Sequence, residues 1–82
     1  MAEITLDARG LSCPLPILKA RKTLRGMRVG QTLEIFSNDP NAPENFNEFC
    51  QSSLHELLES TNLEGNLYRF VIKCGGSDEP AS

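Results

Sequence analysis

Tryptophan is absent from this chain, and tyrosine and histidine occur once each, as Tyr68 and His55. With only four phenylalanines among 82 residues, the core is thin. A domain of this size buries only ~60% of the surface its unfolded chain exposes. A deep, water-free site with many catalytic groups is excluded, as is a dinucleotide-binding domain. Any chemistry must use few residues near the surface. Cysteine is sparse and odd in number, with Cys13, Cys50 and Cys74. No Cys-x-x-Cys pair exists, and a structural zinc site needs four ligands, usually in close pairs. An odd count without a secretory leader also argues against a disulfide scaffold. The start, Met1-Ala2-Glu3-Ile4, has an early acid and no apolar h-region. The longest uncharged stretch around an apolar centre, Gly10 to Leu18, falls far short of the ~20 residues that span a bilayer. The expectation is a cytoplasmic chain with no membrane segment, no metal and no cofactor.

Acids are missing from one long stretch. Residues 9 to 33 hold six bases (Arg9, Lys19, Arg21, Lys22, Arg25 and Arg28) and no acid, whereas residues 34 to 82 hold nine acids and two bases. The formal charge of -3 therefore hides a bipolar chain. Its basic end suits an acidic partner, with Lys19, Arg21, Lys22 and Arg25 as the docking cations. Direct nucleic-acid binding is disfavoured, because the chain as a whole is acidic.

Alternation of polar and apolar residues predicts strands at Glu3–Asp7 and Thr32–Ser37, and the run Leu67–Lys73 reads as the clearest strand in the chain. Pro14 and Pro16 stand where a helix begins, since first-turn amides have no intrahelical partner to lose. Leu15, Ile17, Leu18 and Leu24 then read as the apolar stripe of that helix, with lysines and arginines on its other face. Gly26 and Gly30 bracket its end. Asn38 to Pro43 has loop chemistry. Asn45 with Glu48 reads as the capping box of a second helix, whose buried face is Phe46, Phe49, Cys50 and Leu54. Leu57 and Leu58 fit either a longer helix or a strand. Asn62, Gly65 and Asn66 mark a turn, and residues 76–82 read as a flexible tail.

Cys13 falls at or next to the N-cap of the first helix. Backbone N–H groups and the positive end of the helix dipole favour an anion there. A helix-start cysteine has a lowered pKa, and the thiolate is the reactive form. The same setting favours a persulfide anion, and Arg9 would add positive potential. Serine, threonine, aspartate or asparagine would cap a helix better, so structure alone gives little reason for cysteine at this place. Cys50 reads as core filler on an apolar stripe, Cys74 as a semi-exposed strand end, and His55 as a surface or capping group.

The run Asp7-Ala8-Arg9-Gly10-Leu11-Ser12-Cys13-Pro14-Leu15-Pro16 resembles the TusA, or SirA-like, family of sulfur carriers. Its hallmark Cys-Pro-x-Pro stands here as Cys13-Pro14-Leu15-Pro16, preceded by Asp7 and Gly10. Similarity continues through Arg21-Lys22-Thr23-Leu24, Asp39-Pro40, Phe49-Cys50, His55-Glu56-Leu57 and Tyr68-Arg69-Phe70. The resemblance implies an α/β fold, a two-layer sandwich of order βαβαββ with a mixed four-stranded sheet against two helices. It places Leu57 and Leu58 in a strand and makes residues 1–75 one domain. It also implies that Cys13 accepts sulfur as a persulfide from a cysteine desulfurase or rhodanese-like donor. The sulfur would then pass to a downstream acceptor, as in tRNA 2-thiouridine synthesis or in sulfur oxidation. Asp7, Arg9, Gly10, Pro14 and Pro16 would support Cys13, with Asp7 anchoring its loop. Leu15 stands where the tRNA-thiolation branch often has an acid, and Asn45 where aspartate is usual. Two other readings of the residues stay open. One is a regulatory module that docks an acidic partner without chemistry. The other is a thiocarboxylate carrier built on Gly75-Gly76, although six residues follow that pair.

Overall fold

The computed structural model describes residues 3–12 and 14–75. In chain order these form β1 (Ile4–Asp7), α1 (Leu15–Arg25), β2 (Thr32–Ser37), α2 (Ala42–Gln51), β3 (Glu56–Glu64) and β4 (Leu67–Lys73). The four strands make one sheet in the order β1-β2-β4-β3. β1 runs parallel to β2, and β4 lies antiparallel to both β2 and β3. The sheet is mixed, the element order is βαβαββ, and Leu57 and Leu58 belong to a strand, as expected.

Period-2 burial shows why the strands form. On β2, Leu33, Ile35 and Ser37 are buried while Thr32, Glu34 and Phe36 between them are half-buried. One sheet face thus meets the helices and the other meets water. The core gathers Ala20 and Leu24 of α1, Phe46 and Phe49 of α2, Leu33 and Ile35 of β2, and Phe70 and Ile72 of β4. The Phe46 and Phe70 rings stack with centroids 4.7 Å apart, joining α2 to the central strand β4. On the outward face, Arg69 of β4 reaches Glu34 of β2 (2.5 Å) and Glu59 of β3 (3.0 Å), and Thr5 of β1 donates to Glu34 (3.1 Å). This polar row crosses all four strands. The Arg69 guanidinium holds the Glu34 carboxyl below its ordinary value.

α1 departs from its expected face, and α2 from its expected cap and end, while Phe46, Phe49 and Cys50 pack toward the core as expected. On α1 the buried residues are Pro16, Ala20 and Leu24, with Ile17 packed partly against them. Leu15 and Leu18 are 46% and 51% exposed. At about 100° per residue, Leu15 and Leu18 fall opposite the 16–20–24 line, so the two prominent leucines could not share its stripe. α2 begins at Ala42, with Asn41 as N-cap and Pro43 in the first turn. Asn45 is inside the helix and donates its N–H to the Asn41 carbonyl, so the Asn45–Glu48 capping box does not exist. Asp39 starts the helix instead. Its carboxylate accepts the Asn41 N–H at 3.1 Å, and its carbonyl accepts the Ala42 N–H at 2.9 Å. Proline early in α2 is tolerated because it removes an amide that has no partner there. α2 ends at Gln51, which leaves Leu54 outside it and exposed.

Cys74 is buried, not semi-exposed. Its thiol lies 3.6 Å from the Leu24 carbonyl and 3.8 Å from that of Met27. Its backbone also exchanges hydrogen bonds with Gly30 and Gln31. His55 is likewise buried. Its Nδ1 accepts the Gly75 N–H at 3.1 Å, and its ring lies 5.8 Å from that of Phe49. An accepting Nδ1 places the neutral ring's proton on Nε2. His55 is thus a structural joint between the start of β3 and the end of β4. Two bulges interrupt β3, where Leu58 and Leu63 are skipped by the pairing with β4. At the β3–β4 turn, Gly65 has φ 55 at the first of two central positions, a conformation glycine adopts without strain.

Candidate functional site

The candidate site is the connection from β1 to α1. β1 is pinned to β2 in parallel register, and this pairing carries one step past the strand, where the Ala8 N–H donates to the Phe36 carbonyl at 2.7 Å. The chain then turns. Asp7 accepts the Arg9 backbone N–H at 3.1 Å and the Arg9 guanidinium at 2.9 and 3.0 Å. One carboxylate thus holds one backbone N–H and one side chain, both of Arg9. Arg9, in turn, gives its charge to Asp7 and adds little unpaired positive potential. Gly10 follows at φ 84, where side-chain-bearing residues are strained. Its N–H donates to Oδ1 of Asn38 at 3.0 Å. From the sequence Asn38 reads as loop chemistry alone, because its partner lies 28 positions away.

Cys13 lies outside the described residues, as do residues 76–82 expected to form the tail. On the far side, Pro14 is the N-cap of α1 and Pro16 stands in its first turn. These prolines change the electrostatics expected of this helix end. Pro14 and Pro16 carry no amide hydrogen, and the Leu15 N–H donates to the Ser12 carbonyl at 2.9 Å. The helix start therefore offers less direct amide donation than the sequence suggested. The dipole itself is left unopposed, since α1 has no acid in its first turn and has Lys22 and Arg25 in its last.

Lys19, Arg21, Lys22 and Arg25 are all exposed on α1. Leu15 and Leu18 lie among them, so the solvent face of this helix is basic with an apolar centre. Arg21 has a second duty, because its guanidinium sits 5.7 Å from the centre of the Phe49 ring on α2. The other two cysteines are withdrawn. Burial pushes the half-buried Cys50 thiol up to about 11, and Cys74 is sealed under α1. Among the described residues, no cluster of three His, Cys, Asp or Glu side chains could hold a metal ion, and no helix is long and apolar enough to cross a membrane.

The sequence model of the family described as Sulfurtransferase TusA matches residues 4–74. This chain belongs to the TusA family. It is 47% identical over 68 residues to the sulfur carrier protein TusA of Allochromatium vinosum, an alignment covering 83% of this chain and 88% of the relative. The fold is similar to the crystal structure of a SirA-like protein from Desulfitobacterium hafniense. The TM-score is 0.76 at 22% identity, over 88% of this chain and 97% of that one. The TusA match spans every element of the sheet and both helices, so the β1–α1 connection sits within the family's own frame.

The Asp7–Arg9 pair makes the loop between β1 and α1 acid-sensitive. Paired with Arg9, the Asp7 carboxyl titrates at about 2 against an ordinary 3.8. A depressed value means that the stabilisation is present above 3.8 and is lost as pH falls through about 2. Asp7→Asn should therefore melt below the parent protein near neutral pH, and the two melting temperatures should converge as acid protonates Asp7. Melts of both chains across this window, with the Asp7 carboxyl followed by NMR, check it. A carboxyl that titrates at its ordinary value would contradict the pairing.

Proposed function

We propose that this chain is a cytoplasmic persulfide carrier in which Cys13 accepts sulfane sulfur from a donor protein and passes it to an acceptor protein. Residues 1–75 act as the carrier domain and 76–82 as a tail. The Cys13 thiolate attacks the terminal sulfur of a persulfide on a cysteine desulfurase or rhodanese-like donor. An S–S bond forms at Cys13 as the donor's S–S bond breaks, and the donor cysteine leaves as a thiolate. Electrons balance between the two partners, with no outside oxidant or reductant. The acceptor protein then takes the terminal sulfur by the same exchange, as in the relays that feed 2-thiouridine formation.

The observation that carries this reading is the contrast among the thiols. The Cys13-Pro14-Leu15-Pro16 run is entered by a loop clamped at Asp7 and Gly10, while Cys50 is half-buried against the core and Cys74 lies within it. Pro14 and Pro16 stiffen the exit into α1. Lys19, Arg21, Lys22 and Arg25 supply the electrostatic docking face. Incubation with a cysteine desulfurase and cysteine should add about 32 Da, one sulfur atom, to the peptide bearing Cys13. Sulfur on Cys50 or Cys74 with Cys13 unmodified would overturn the reading.

A further inference from the structure

We propose that Asn38 is a positioning residue for the sulfur step, its amide oxygen fixing the place of the loop that carries Cys13 by accepting the Gly10 N–H. The inference rests on the persulfide-carrier reading and adds to it a residue on a different element. The other bonds within the loop are local. Arg9 binds Asp7, and the Leu11 N–H donates to the Ala8 carbonyl at 3.3 Å. Local bonds set the loop's shape but not its location against the rest of the fold. Beyond the sheet pairing that ends at Ala8, the Gly10–Asn38 bond at 3.0 Å is the long-range hydrogen bond among the described residues of this loop, beside the packing of Leu11 against the core.

The support behind Asn38 is rigid. Ser37, on its N-terminal side, is buried at the end of β2, and its hydroxyl accepts the Asp39 N–H at 3.2 Å. Asp39, on its C-terminal side, is also buried and starts α2 through its bonds to Asn41 and Ala42. Asn38 itself is exposed. It projects from a turn held on both sides, so its oxygen is a fixed point. Gly10 itself sits at φ 84, a backbone that side-chain-bearing residues adopt only with strain. Groups that hold a reactive residue in place govern rate more than stability, because a small misplacement lowers the fraction of productive encounters.

The test compares Asn38→Ala, which loses the acceptor, with Asn38→Asp, which keeps an oxygen at that place. Three readouts are followed: sulfur uptake at Cys13 from a desulfurase, the pH profile of Cys13 alkylation by iodoacetamide, and the melting temperature. We expect Asn38→Ala to slow uptake about fivefold, a factor that loss of one neutral hydrogen bond commonly carries. The alkylation profile should shift, the melting temperature should barely move, and Asn38→Asp should recover most of the rate. Uptake and alkylation that match the parent protein, or a rate loss that merely follows melting temperature in both variants, would overturn the assignment. A parent protein that takes no sulfur on Cys13 overturns the carrier reading, and the alkylation profile still decides the positioning. If Asn38→Ala does not fold, hydrogen exchange on the parent protein decides. A protected Gly10 amide supports the tie, and an amide exchanging as fast as that of an open loop refutes it.

Discussion

Replacing Lys19 and Lys22 together by glutamate should slow sulfur transfer from an acidic donor protein by about a hundredfold at low salt and leave the fold intact. Both side chains lie on the exposed face of α1. Neither is used in the core, whereas Arg21 lies over Phe49 and would confuse docking with packing. Reversing two charges converts an attractive encounter into a repulsive one. Electrostatic steering commonly raises association rates by one to three orders of magnitude. The effect must fade with salt, because charges more than ~10 Å apart are screened at 0.1 M. The apolar pair Leu15 and Leu18 is untouched, so short-range contact survives once the partners meet. Transfer rates at low and high ionic strength, with a melt of each chain, check this. A rate that ignores both the reversal and the salt would remove the basic face from the mechanism.

The second large effect belongs to the other end of the fold. Gly75→Ala should destabilise the protein by about 3 kcal/mol. An added Cβ would collide with the Leu54 carbonyl oxygen and sit 2.6 Å from its carbon. Backbone cannot give way as a flexible side-chain tip can. Relief requires that residue 75 move off residues 54 and 55. That move breaks the bond from the Gly75 N–H to Nδ1 of buried His55, leaving a buried acceptor unsatisfied. Steric overpacking costs about 1–3 kcal/mol, and the lost partner costs a similar amount. For a domain of this length, that lowers the melting temperature by roughly 12 °C or more. Thermal or urea denaturation measures it, and a melt within two or so degrees of the parent protein would show that the joint carries little stability. The close approach also gives Gly75 a packing role independent of any terminal Gly-Gly chemistry.

β1, β2 and β4 were readable because their signal is local, whereas β3, interrupted at Leu58 and Leu63, was placed through the resemblance alone. Alternation from Thr32 to Ser37 and the run from Leu67 to Lys73 end where β2 and β4 end. The helices were less readable, for reasons visible in single residues. On α1, Leu15 and Leu18 are conspicuous apolar residues, yet both are exposed while Pro16, Ala20 and Leu24 are buried, because the buried line follows the helical period and these two leucines lie on its far side. On α2, Asn45 has capping chemistry, but Asp39 reaches the first turn before it. Contacts across distance left no local trace. The Gly10–Asn38 tie, the His55–Gly75 joint and the seat of Cys74 under α1 each join residues 20 or more positions apart. At the site, the Cys-Pro-x-Pro run and Asp7 were readable through family resemblance. Asn38 was hidden because a loop asparagine next to Asp39-Pro40 reads as turn chemistry alone.

A sheet of four strands has two open borders, and a carrier that must meet several partners cannot let those borders meet each other. β1, one border, is four residues long. β3, the other, is nine residues long but is broken twice by the unpaired Leu58 and Leu63 and bears exposed Glu56, Glu59 and Glu64. Bulges twist a strand out of register with any incoming strand, and a row of like charges repels a second copy of itself. The irregularities of β3 thus work against edge-to-edge pairing of two copies.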